Sequence, residues 1–214
     1  MTTTEQLSEL ERILAHDLLN SLFQPIYSLA SGRIQGHEAL TRGPSNSPLH
    51  APLALFAVAR NAGRLSELEI ASRARACSRF SQCTGRGMLY LNVSPETLVE
   101  PGHQSGRTLQ ILRQCGIAPE RVVIELTEQT PIEDFDLLDR ALHHYRAMGF
   151  SIALDDLGAG YSSLSSLQNL PFSKLKIDRE FVSGVDQRRE GRAICTALIE
   201  LALGLDIEVL AEGA

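Results

Sequence analysis

Short apolar runs in this chain end, one after another, on an oxygen-bearing side chain. Glu38 stands in HEAL, Asn92 in LYLNVSP, Glu125 in VVIELTE, Asp155 and Asp156 in IALDDLGAG, and Glu212 in EVLAEG. The runs before them, among them Met88–Leu91, Val122–Ile124 and Ile152–Leu154, are apolar at successive positions, and Ile207–Leu210 is interrupted only by Glu208. Such runs suit strands covered on both faces. A carboxylate at the end of a buried strand is costly unless a positive partner offsets it. Several of them at one rim imply one or two hard divalent cations, the ions that take oxygen ligands.

The spacing of turns and apolar residues predicts strands over 22–28, 33–41, 88–93, 122–127, 151–155, 173–177 and 207–211. Helices are predicted over about 4–19, 52–62, 66–82, 105–115, 134–148 and 188–204, with short ones near 162–169 and 179–184. The first two strands flank Ala30-Ser31-Gly32 and read as a hairpin. From Met88 onward, strand and helix alternate, which implies a parallel sheet with crossover helices. Functional groups after many different strands favour a barrel over an open sheet, where ligands gather at one switch point. A complete barrel of this kind runs to ~250 residues. The chain stops just after its seventh strand. The expected fold is therefore α/β, a TIM-like (β/α)8 barrel with an antiparallel first strand and its last β/α unit missing. Residues 1–20 read as an N-terminal helix that is part of the domain, and 21–214 as the domain proper, incomplete at its C-terminus.

Composition excludes several classes. The net charge of −6 gives no basic field for duplex nucleic acid. No run approaches the ~20 apolar residues of a membrane helix. The N-terminus is acidic and amphipathic, with no basic stretch before an apolar core, so it does not read as a signal peptide. Cys77, Cys83, Cys115 and Cys195 form no CxxC pair. They read as free thiols in a reducing cytoplasm.

Each candidate residue has a plain structural reading beside the chemical one. Asp155 and Asp156 serve either as a turn or cap pair before Gly158 or as a grip on two ions. Glu125 is either a plain strand-end carboxylate or a ligand, and Glu128, three residues on, reads as a helix N-terminal acid. Asn92 either caps the helix that Pro95 begins or offers a neutral oxygen to Mg²⁺ or Mn²⁺. Lys176 either pairs with Asp178 or points at the carboxylates and holds an attacking water. Arg42 is either a solvated loop residue or a planar donor for a phosphate oxygen. Taken together, the layout resembles two-metal phosphodiester hydrolysis, in which ions ~4 Å apart activate water and clamp phosphate. The histidines stand outside this pattern. His37 points away from Glu38, and His143 and His144 sit mid-helix on the surface.

The motifs FQPIYSLASGRIQGHEALTRG, LYLNVSPETL, VVIELTEQT, IALDDLGAGYSSLSSLQNLPFSKLKIDREFV and VLAEGA occur in this order. With them, residues 8–214 resemble the EAL domain, the bacterial cyclic di-GMP phosphodiesterase family. The resemblance implies hydrolysis of cyclic di-GMP to linear pGpG with two Mg²⁺ or Mn²⁺ ions. It implies that Glu38, Asn92, Glu125, Asp155, Asp156 and Glu212 are metal ligands. It makes Glu38, Lys176 and Glu212 catalytic, with Lys176 orienting the water. Gln24 and Arg42 match substrate-contacting positions, and Glu128 matches the residue that steadies the loop beginning at Asp156. The implied assembly is a homodimer through barrel-rim loops, in a cytoplasmic protein whose relatives often carry flanking regulatory domains. The alternative is an inactive EAL module that binds cyclic di-GMP or another protein. The loop reads DDLGAGYSSL where the family usually has DDFGTGYSSL. Family members also continue for roughly another strand and helix, with a rim glutamine.

Overall fold

The protein is described by a computed structural model that covers residues 3–83, 87–99, 105–127, 134–157, 167 and 169–213. The strands are β1 (Asn20–Tyr27), β2 (Ile34–Arg42), β3 (Met88–Val93), β4 (Val122–Thr127), β5 (Ser151–Leu157), β6 (Lys174–Ile177) and β7 (Glu208–Ala211). The helices are α1 (Thr3–Ala15), α2 (Pro52–Asn61), α3 (Leu65–Gln82), α4 (Pro95–Leu98), α5 (Ser105–Cys115), α6 (Phe135–Ala147), α7 (Arg179–Val182) and α8 (Arg189–Gly204). The chain divides into two compact units, Met1–Leu91 with Gln104–Val122, and Asn92–His103 with Val123–Ala214.

In the first unit the strand order is β1-β2-β3. β1 and β2 are antiparallel, joined where Gly32 N–H donates to Ser28 O at 2.8 Å and Ser28 N–H to Arg33 O at 2.9 Å. β2 runs parallel to β3. The hairpin packs on α3, where His37 meets Phe23 and Phe80 edge to face at 6.4 and 6.1 Å between centroids and Phe23 lies tilted against Phe80 at 5.9 Å. α3 buries Leu65, Leu68, Ser72, Ala76 and Phe80, the three-and-four spacing of a core-facing helix. A second layer is made by Leu10 and Ile13 of α1, Leu49 from the segment before α2, Leu55 and Ala59 of α2, and Leu68 of α3.

α2 begins at Pro52 and closes in a Schellman motif. Arg64 N–H reaches Ala59 O at 2.8 Å, Gly63 N–H reaches Arg60 O at 3.0 Å, and Gly63 takes φ +64°. α1 closes the same way on a non-glycine residue. Leu18 N–H bonds Ile13 O at 2.9 Å and Asp17 sits at φ 50°. The helix therefore ends at Ala15, short of the expected residue 19, and Leu18 packs on the layer from outside the helix.

In the second unit the order is β4-β5-β6-β7, all parallel. β6 is buried along its whole length although two of its four residues are lysines. The expected hairpin, the seven strands and the parallel run after Met88 are all present among the described residues. α6 starts on Asp134, whose carboxylate accepts from Leu137 N–H at 2.9 Å. α8 packs through small residues; a Cβ on Gly191 would come within 3.0 Å of Phe181 O.

Candidate metal and catalytic centre

The second unit gathers four charged side chains from separate segments. Lys176 Nζ lies 2.9 Å from Glu125 Oε1, 2.9 Å from Asp155 Oδ1 and 2.7 Å from Glu212 Oε1. Glu125 is 0% exposed, Lys176 3% and Asp155 6%, while the Glu212 side chain is 27% exposed. Desolvated charges at these distances interact strongly, and removing one partner leaves the others uncompensated.

Sheet register explains the convergence. Glu125 and Thr127 of β4 stand opposite Ala153 and Asp155 of β5. On the next pair, Leu154 faces Leu175 and Leu157 faces Ile177. Asp155 and Asp156 therefore share one partner position, Lys176, in a β-bulge. A bulge re-aims side chains beside a site. Lys176 faces Leu210 and Ile177 faces Ala211. One residue further, Glu212 N–H still donates to Ile177 O at 3.1 Å. Strand alternation then gives Glu212 the face of Leu210 and Lys176. Asp178 does not neutralise Lys176; its carboxylate caps α7 by accepting from Glu180 N–H at 2.6 Å.

The first unit places other expected residues on one face of its own sheet. Gln24, Glu38 and Tyr90 form one row across β1, β2 and β3, and Arg42 stands opposite Asn20 on the same face. Glu38 is half-buried, and Arg42 Nη1 donates to Thr41 O at 2.8 Å. His37 turns the other way, onto Phe23 and Phe80, as alternation requires. Asn92 lies inside β3; the cap position before α4 is Ser94. His143 is exposed on α6, 3.4 Å from Asp139. Glu128 and the Asp156 side chain lie outside the described residues.

The donor chemistry fits a hard divalent cation. Among the described residues, the three carboxylates facing the ammonium of Lys176 carry a formal surplus of two negative charges over it, and all their donor atoms are oxygen. Among the described residues no three Asp, Glu, His or Cys side chains gather closely enough to hold an ion by themselves. The carboxylates are spaced around Lys176 instead. The bulge was missed by sequence reasoning; the aim of Lys176 at carboxylates was expected, but not which of them it meets.

Comparison with known proteins bears on this geometry. The EAL domain family matches residues 7–214. A signaling protein of Caulobacter vibrioides, itself uncharacterized, is 33% identical over 212 residues, covering 94% of this chain and 26% of that protein. The cyclic di-GMP phosphodiesterase NbdA of Pseudomonas aeruginosa is 30% identical over 210 residues, covering 96% of this chain and 27% of the relative. This chain thus spans about a quarter of the length of each of these two relatives. Among solved structures, the PaMucR phosphodiesterase in complex with c-di-GMP matches with a TM-score of 0.85 at 28% identity, over 98% of this chain and 87% of that one. Klebsiella pneumoniae BlrP1 with manganese and cyclic di-GMP matches with a TM-score of 0.81 at 30% identity, over 92% of this chain and 50% of that one. These likenesses put the fold in the class of TIM-like EAL barrels with an antiparallel first strand. The chain belongs to the EAL domain family.

Proposed function

We propose that this domain is a metal-dependent phosphodiesterase that hydrolyses cyclic di-GMP to linear pGpG. The observation that carries the reading is the position of Lys176 Nζ, within 2.9 Å of carboxylates from β4, β5 and the end of β7. A buried ammonium ringed by oxygen donors suits work on a phosphate diester better than a purely structural role. Its support includes the naming of a phosphodiesterase among the relatives and of cyclic di-GMP and manganese in the neighbouring structures.

In this reading Glu125, Asp155 and Glu212 hold divalent cations, joined by Glu38, Asn92 and Asp156. The cations are two Mg²⁺ or Mn²⁺ ions, and when bound they supply an acidified water and charge neutralisation at phosphorus. Lys176 donates hydrogen bonds that fix the attacking water. Arg42 and Gln24 hold the phosphate and guanylate, with Arg42 as a planar donor to a phosphate oxygen. Water adds across one P–O3′ bond; its oxygen joins phosphorus, its proton passes to the departing 3′ oxygen, and a 5′ phosphate remains. Glu128 steadies the loop that starts at Asp156. The described cysteines are free thiols, in keeping with a cytoplasmic protein. A homodimer through the rim loops completes the reading, and light scattering tests it.

Two measurements on the same sample separate turnover from capture. Calorimetry with cyclic di-GMP in Ca²⁺ reports binding, and chromatography after incubation in Mn²⁺ reports pGpG. Binding with pGpG release supports the enzyme; binding with the cyclic dinucleotide left intact makes this a receptor module.

A further inference from the structure

We propose that Arg179 is a positioning residue for Glu212, acting through the backbone of Gly213; the proposal rests on the phosphodiesterase reading above. Glu212 lies one residue beyond the last ladder pair of β7. Strand alternation gives it its face, and the turn that begins there fixes how its carboxylate is held. That turn is held from two sides, by the last residue of β6 and by the helix start that follows it. On one side, Ile177 O accepts from Glu212 N–H at 3.1 Å. On the other, the aliphatic stem of Arg179 lies against Gly213. A Cβ added to Gly213 would sit 2.4 Å from Arg179 Cγ, 2.8 Å from Cδ and 3.1 Å from Cβ. Gly213 also takes φ +66°, a conformation that other residues adopt at a cost. The stem thus fills the space a side chain would occupy, and the glycine is required on both steric and conformational grounds.

Arg179 is itself fixed at its base. It opens α7, whose start is set by the Asp178 carboxylate accepting from Glu180 N–H at 2.6 Å. The segment 177–179 is the direct continuation of the strand that carries Lys176. One short stretch of chain therefore places the ammonium and also walls the turn that delivers Glu212 Oε1 to it at 2.7 Å. The wall is made by methylene groups, so the proposal assigns the effect to the stem and not to the guanidinium. A residue that orients a metal-binding group typically changes affinity by 10–100-fold when lost.

The test compares the parent chain with Arg179→Ala and Arg179→Met. Amide hydrogen exchange at Glu212 and Gly213, read without metal or substrate, reports the turn itself. Exchange should quicken in Arg179→Ala and return to the parent rate in Arg179→Met, with the melting temperature little changed. Calorimetric Mn²⁺ affinity should fall roughly tenfold in Arg179→Ala and stay within about twofold in Arg179→Met. In turnover, kcat should fall in Arg179→Ala while KM for cyclic di-GMP holds. Parent-like exchange in Arg179→Ala would overturn the proposal. So would an Arg179→Met variant as defective as Arg179→Ala, since that assigns the role to charge. A parent chain that binds no Mn²⁺ overturns the phosphodiesterase reading instead, and the exchange data still decide the role of Arg179.

Discussion

Lys176 is the residue on which the chemistry proposed for the second unit turns. Replacing it by Met keeps much of the stem and removes the charge that three carboxylates share. Breaking a buried ion pair from one side costs about 3–5 kcal/mol. Urea denaturation of Lys176→Met in the absence of metal should show a loss of that order, and turnover should vanish. Glu38 offers the opposite case. It is half-buried in β2, so Glu38→Ala should abolish pGpG formation while shifting stability by less than about 1 kcal/mol. Glu9 supplies a pH-dependent contribution. Hydrogen bonds from Arg12 at 2.8 Å and from Ser47 Oγ at 2.5 Å hold its carboxyl down at about 2, below its ordinary 4.5. A depressed acid stabilises the fold above its unfolded value and loses that contribution as pH falls toward the folded one. Parent and Glu9→Gln should therefore differ in melting temperature by roughly 1–3 °C at pH 7, an exposed-pair effect, and converge as pH drops from 4.5 toward 2. Cysteine reactivity separates by environment. Burial pushes the Cys77 thiol up to about 12, whereas Cys83 is exposed. Alkylation of the native protein should label Cys83 and spare Cys77.

At the scale of elements, caps and registers decide where functional groups land. Asp134 is the cap of α6, and its loss should cost about 1 kcal/mol by thermal or chemical denaturation. The alternation of β2 was legible in advance: His37 and Glu38 had to face opposite ways, and His37 does pack outward on Phe80. The positions of Glu125 and Asp155 were legible for a related reason, since each follows an apolar run whose burial is nearly obligatory. The end of α1 was not legible. Leu18 continues the helical spacing but belongs to the turn, because Asp17 adopts a left-handed conformation without a glycine or proline to announce it. The β5 bulge was hidden for a deeper reason. It exists as a mismatch between two strands, 154–157 against 175–177, and no local pattern in either strand encodes it. Lys176 was expected to aim at the carboxylates, but the identity of its three partners depends on the registers of β4 through β7 taken together.

For the whole molecule, the five ordered motifs carried more than composition did. They anticipated the family that matches residues 7–214, whereas charge and hydrophobic content excluded classes without selecting one. These two relatives are three to four times as long as the matched region. In the proposed function, carboxylates assembled around Lys176 would hold divalent cations and make this domain a cyclic di-GMP hydrolase. The most direct measurement is chromatographic pGpG formation from cyclic di-GMP as Mn²⁺ is titrated, for the parent and for Asp155→Asn. Product should rise with Mn²⁺, disappear with a chelator, and be lost in Asp155→Asn. Unaltered cyclic di-GMP at saturating Mn²⁺, or equal product from both proteins, would contradict it.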